Sequence, residues 1–175
     1  AFIVNVEYCL CEIVNIHDES LLIEPIHRVM FHVSPSDVLE QAKLFFANHG
    51  ASCEILAEGA AAPSDAHAIP FCSEKENGVL IIRNPKWGIP LATLQAFLDD
   101  YLAQHTDAKL DYIHGEDITT ELGTKPGNMG FLLPDIQKND LFRGVIIDGV
   151  LPRKTFSMGE AHEKRYYMEA KRITL

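Results

Sequence analysis

A chain of 175 residues is long enough for one ordinary domain with a real core, and its 47% apolar and 23% charged residues exclude a disordered polymer. A formal net charge of −10 argues against a protein that holds nucleic acid or an anionic membrane surface through its overall field. No apolar run reaches the roughly 18 residues of a membrane span. The longest, Ala1–Ile16, is broken by Asn5, Glu7 and Glu12, so a cytoplasmic location with no membrane partner is expected.

From the N-terminus, residues 2–16 read as one strand. Phe2, Val4 and Val6 alternate with Ile3, Asn5 and Glu7, and Leu10 and Ile13 continue the pattern past a bulge. Cys9 and Cys11 lie two apart on it, so they share a face and do not pair with each other. With Cys53 and Cys72 the cysteines are four and sparse, the usage of reduced intracellular thiols. His17–Ser20 supply turn residues, and Leu21–Val33 read as the returning strand. Pro25 cannot donate to a ladder and marks an edge or bulge in it.

The first helix is signed at both ends. Ser34 stands at the N-cap, Pro35 at the first helical position and Asp37 in the first turn. Val38, Leu39, Ala42, Phe45 and Phe46 form an apolar stripe, and Asn48, His49 and Gly50 end the helix. Cys53–Leu56 read as a short strand, and Ala57–His67 as a linker-like loop of small residues. Ile69–Asn84 read as a hairpin with its turn at Asn77-Gly78.

A second helix starts near Pro90 and buries Leu91, Leu94, Phe97, Leu98, Tyr101 and Leu102. Beyond it come a strand at Lys109–Gly115, a short helix closed by Gly123, and a strand at Asn128–Asp135. Residues 136–148 read as helical, and the final run from Lys164 suits either a strand or a helix. These elements predict a single α+β domain over 1–175: a mostly antiparallel mixed sheet of six to eight strands, with three or four helices on one face. The chain begins at Ala1 without a methionine and directly in a strand-like run, which predicts the C-terminal fragment of a longer protein.

Eight histidines invite a metal site, but their spacing does not supply one: Cys9-x-Cys11 has no second pair, and His27 and His32 fall on opposite faces of a strand. No metal is therefore expected, and the sequence names no cofactor. There is no nucleophile elbow. Gly123–Gly130 carries Lys125 but lacks the Gly-Lys-Ser/Thr ending of a phosphate loop, and reads as a turn set by Pro126 and Gly127. Two basic spots remain. Pro25–Val29 places His27 and Arg28 on opposite sides of a strand, and Pro152–Ser157 places Arg153 and Lys154 ahead of Thr155 and Ser157. An Arg fork, a Lys point charge and two hydroxyls are the equipment of a phosphate or carboxylate site. Thr155 or Ser157 could also cap a following helix and add its free amides. Glu160, Glu163 and Glu169 lie just downstream and offer the alternative of a salt-bridged turn.

The segments Val14–Val29, Leu110–Gly115, Gly130–Pro134 and above all Val150–Ile173 resemble the C-terminal part of an uncharacterised prokaryotic family catalogued as domain of unknown function 1015. Its members are longer and carry, upstream, an Asp-Gly-His-His-Arg motif similar to that of the ParB-like group, which includes nucleotide-using enzymes and a free-serine kinase. That motif is not present in this sequence. Both basic loops fall in the best-matched segments, so the expected reading is a domain of unknown function that completes a small-molecule site for a phosphate-bearing or carboxylate ligand. Arg28, Arg153 and Lys154 would neutralise the anion, Thr155 and Ser157 would orient it, and His27 or His114 would move a proton. The alternative is a non-catalytic structural or interaction domain that docks the N-terminal part of its own full-length chain. Nothing in the residues decides whether the protein is an enzyme, and no nucleic-acid partner is expected.

Overall fold

The computed structural model describes residues 15, 23–59, 63–136, 145–146 and 149–158. The predicted strand over 2–16 with Cys9 and Cys11, nearly all of the predicted helix over 136–148, and everything from Gly159 on lie outside these residues.

Among the described residues, seven strands and three helices follow in the order β1 (Ile23–Phe31), α1 (Pro35–Asn48), β2 (Ser52–Ala57), β3 (Ala66–Ser73), β4 (Asn77–Arg83), α2 (Pro90–Gln104), β5 (Lys109–His114), α3 (Glu116–Gly123), β6 (Asn128–Phe131) and β7 (Phe156–Met158). The strands form one sheet in the order β2-β4-β3-β6-β1-β5, with β7 paired to the start of β1. Every pairing among the described residues is antiparallel, so the fold is α+β as expected but the sheet is not mixed there. Pro25 pairs with Phe156 of β7 and sits where the pairing of β1 passes from β7 to β5.

Helix α1 forms where its stripe and Pro35 predict, and Val38, Leu39, Ala42, Phe45 and Phe46 are all buried. Gly50 turns the chain away at φ 77. Ser34 occupies the N-cap position but makes no side-chain cap bond; its Oγ meets Ser36 Oγ at 3.1 Å. Asp37 instead accepts the Tyr101 hydroxyl at 2.7 Å and ties α1 to α2. Phe97 packs its ring 5.7 Å from Phe45 and 6.0 Å from Phe46. Beneath the two helices, Met30, Ile69, Phe71, Leu80, Ile82, Met129 and Phe131 complete the apolar core. Each such side chain contributes about 1.5–3 kcal/mol relative to exposure.

Two expectations are corrected. The β3–β4 turn is Glu74–Glu76, closed by Ser73 Oγ donating to the Glu76 carbonyl at 2.7 Å, and not Asn77-Gly78. Gly78 lies inside β4, where an added Cβ would stand 2.7 Å from the Leu56 carbonyl and 3.0 Å from the Phe71 ring. Its smallness serves close strand packing rather than a turn. The helices also do not share one face. An added Cβ on Gly123 would lie 2.6 Å from Gly130 N and 2.7 Å from Cys72 Sγ, so α3 rests on the Cys72–Gly130 side of the sheet. Phe71 and Phe131, one residue away on each strand, face α1 and α2. Gly123 closes α3 as expected, and it is also a buried packing position.

Candidate functional site

Alternation along β1 sends His27 and Arg28 to opposite sides of the sheet, as expected. Arg28 comes out on the α2 side, two residues from the core residue Met30, and is 1% exposed. Its guanidinium is spent on five acceptors: Nε donates to Gln95 Oε1 at 3.0 Å, Nη1 to the carbonyls of Ile26 at 2.6 Å and His27 at 3.4 Å, and Nη2 to those of Arg153 at 3.3 Å and Lys154 at 3.0 Å. Gln95 passes the charge on, donating to Asp99 Oδ1 at 2.8 Å, so the carboxylate partner stands one amide away. Burial pulls the Arg28 pKa down to about 10, which leaves it cationic at neutral pH.

Arg28 and Arg153 therefore meet, though the bond runs from the Arg28 side chain to the backbone of the loop. Lys154 has a left-handed backbone at φ 53, an uncommon conformation for a residue with a Cβ. Thr155 is buried, and its hydroxyl donates back to the Pro152 carbonyl. Ser157 is buried in β7, opposite Glu24. Neither caps a helix at this point, because the chain runs into β7 instead. The side chains of Arg153 and Lys154 are exposed.

The three cations converge on one ring. Tyr112 of β5, register partner of Arg28, has the Arg28 guanidinium 4.4 Å from its ring centre, Arg153 at 5.5 Å and Lys154 Nζ at 5.8 Å. The Tyr112 hydroxyl is buried and has no hydrogen-bond partner among the described residues, a cost of about 1–3 kcal/mol. No carboxylate lies within ion-pair distance of Arg28, Arg153 or Lys154 among the described residues. Glu160, Glu163 and Glu169 lie outside them.

The two candidate histidines differ. His27 is 1% exposed, and its Nδ1 accepts the Leu133 amide at 3.0 Å, which puts the proton on Nε2. Burial lowers its pKa further and keeps it neutral. His114, at the end of β5, holds Glu24 Oε2 with its Nε2, and both side chains are about one-third exposed.

Elsewhere, a cleft of about 440 Å³ is lined by His32, Asp37, Tyr101, Gln104, His105 and Asp107. Its polar groups satisfy one another. Tyr101 donates to Asp37, His105 Nδ1 binds the Tyr101 carbonyl at 2.9 Å, and His32 Nδ1 lies 3.3 Å from the Asp107 carbonyl. Burial and the Asp37 carboxylate push the Tyr101 phenol well above its usual range. Among the described residues no group of three or more His, Cys, Asp or Glu is placed to hold a metal ion, and no helix is long and apolar enough to cross a membrane. Sequence reasoning missed Gln95, Tyr112 and Glu24. The period-two spacing of Tyr112 and His114 was the available signal, since it puts both on one face of a strand.

What these features define is an antiparallel α+β sheet domain in which a loop near the C-terminus is tied by a buried arginine to β1. The chain belongs to the family described as Protein of unknown function (DUF1015), whose profile matches residues 4–105. That span holds Arg28 and Gln95 and ends before β5. No curated protein matches the chain in sequence. Among solved structures, free serine kinase in complex with AMP is similar at a TM-score of 0.57 and 14% identity, over 83% of this chain and 57% of that one. A mutant of free serine kinase in complex with ADP gives the same figures. At that identity the likeness is one of fold, and the chain spans little more than half the length of those enzymes.

Proposed function

We propose that the corner formed by Arg28, Tyr112 and the 152–155 loop is a binding site for a small phosphate-bearing or carboxylate ligand. The observation that carries this reading is the convergence of three cations on Tyr112 with no carboxylate in ion-pair reach among the described residues. On a chain of net charge −10 such a spot opposes the average field and selects an anion locally. Arg153 and Lys154, whose side chains are exposed, meet the ligand. Arg28 contributes charge from below and holds the loop carbonyls, while Thr155 and Ser157 keep the form of the turn. The fold is shared with enzymes solved with AMP and ADP, which makes a nucleotide phosphate the first ligand to try.

Calorimetric titration with ADP tests the reading. Saturable binding is expected in the wild type, weakened about tenfold or more in an Arg153→Ala/Lys154→Ala double variant, since two charge-assisted contacts are lost. Absence of wild-type binding to both ADP and inorganic phosphate, or equal binding by the double variant, contradicts it.

A second reading has its own observation. Ile146 and Val150, just before the basic loop, are 82% and 94% exposed. Apolar side chains so placed suit docking of the N-terminal part of a longer chain. A Val150→Cys thiol that reacts freely in this chain and is protected in the longer protein supports it; equal reactivity in both opposes it.

A further inference from the structure

We infer that Glu24 and His114 form the proton-transfer pair of this same corner, acting on a ligand whose anionic group rests at Arg153 and Lys154. The inference rests on the anion-site reading and adds a chemical step to it.

Its first support is a contrast among the histidines. Of the six described, five have Nδ1 engaged: His27 with the Leu133 amide, His32 with the Asp107 carbonyl, His49 with the Phe45 carbonyl, His67 with the Thr93 hydroxyl and His105 with the Tyr101 carbonyl. His114 instead meets the Glu24 carboxylate with Nε2 at hydrogen-bond distance, and its Nδ1 has no hydrogen-bond partner among the described residues. A carboxylate on one ring nitrogen fixes the tautomer with the proton on Nε2, leaves the Nδ1 lone pair for a substrate proton, and stabilises the imidazolium once that proton arrives. His105 also faces a carboxylate, Asp37 at 3.6 Å, but its Nδ1 is taken and its ring is stacked on Tyr101 at 3.9 Å.

The second support is position. Tyr112 and His114 are two apart on β5 and share a face. Opposite them on β1 stand Arg28 and Ile26, with Glu24 two residues further along. Strand geometry puts the dyad about 7 Å from the cation cluster along β5. That is the span of one small molecule. The ligand class is therefore a phosphate or carboxylate compound with a proton-bearing hydroxyl or amine roughly that far from its anionic group. The step is a proton transfer: the ligand O–H or N–H bond breaks, its proton goes to Nδ1, and the electron pair stays on the ligand atom until the proton is returned or passed to water.

Nitrogen-15 NMR of the histidine rings during an ADP titration tests this, with His114 assigned from a His114→Gln variant and binding followed by calorimetry. The expected result is a shift of the His114 ring nitrogens on saturation while those of His105 stay in place. In Glu24→Ala without ligand, the His114 resonances should move from the Nε2–H form toward a tautomer mixture. Binding that leaves His114 unmoved overturns the inference alone, as does a Glu24→Ala spectrum with the wild-type tautomer. Failure of both ADP and inorganic phosphate to bind removes the anion site and this inference with it.

Discussion

Met30 and Arg28 sit two residues apart on the same face of β1 and are buried alike, at 0% and 1% exposure. Met30 lies among Phe71, Phe131 and the helix side chains, where nothing polar needs a partner. Arg28 lies between Gln95 of α2, Tyr112 and the 152–155 loop, and all of its donors are met. Equal burial thus rests on two different balances. One is a transfer of apolar surface out of water; the other is a desolvated charge offset by hydrogen bonds, four of them to backbone carbonyls. The lesson is that the core end of the sheet tolerates exchange among apolar groups of similar volume, whereas the basic corner depends on one fork of fixed geometry.

The comparison breaks most sharply at Arg28 itself. Arg28→Met keeps the apolar stem and strands the carbonyls of Arg153 and Lys154; a loss of about 3–5 kcal/mol in urea unfolding is expected, on the scale of a broken buried polar network. Met30→Ala should cost about 2–5 kcal/mol through its cavity. The two separate by proteolysis: trypsin should cut after Arg153 or Lys154 faster in Arg28→Met and not in Met30→Ala. Equal cleavage would show that Arg28 does not hold the loop. On the other face, Gly123→Ala drives a Cβ to 2.6 Å from Gly130 N, and a loss of about 1–3 kcal/mol is expected from overpacking against backbone.

A smaller effect is expected at His27, whose folded pKa lies below its ordinary 6.5. Between the lowered value and 6.5 the unfolded chain binds more protons than the folded one, so stability rises with pH in that window. The contribution of the neutral ring is complete above about pH 6.5 and is lost as pH falls through the folded value. His27→Asn, which keeps an acceptor near Nδ1 for Leu133, should flatten that slope relative to wild type; an unchanged slope counts against the assignment. Smallest for stability is Arg153→Ala/Lys154→Ala, at about 0.5 kcal/mol or less because both side chains are exposed. A loss of several kcal/mol there would mean that the two side chains are structural.

The sheet was legible where period and punctuation agree. The α1 stripe, Pro35 and Gly50, and the Lys109–His114 strand all form as their residues predict. What misled was one glycine. Asn77-Gly78 carries a turn signature but lies within β4, whereas Gly123 ends α3 as expected and serves its packing as well. In both cases the third dimension, a neighbouring backbone under 3 Å from the missing Cβ, decides the residue. At the candidate site the two basic segments were visible as composition, and their meeting was not. The bond from Arg28 to the Lys154 carbonyl spans 126 positions. Gln95 and Tyr112 have no local pattern to announce them, because each acquires its part only from a partner on another element.

The most direct test of the central claim is the backbone amide spectrum of the protein during titration with inorganic phosphate. The account predicts shifts concentrated at Arg153, Lys154, Thr155 and Tyr112, with Met30 and Ile82 in the core unmoved. Shifts centred on the cleft of His32 and His105, or no saturable shift anywhere, would contradict it.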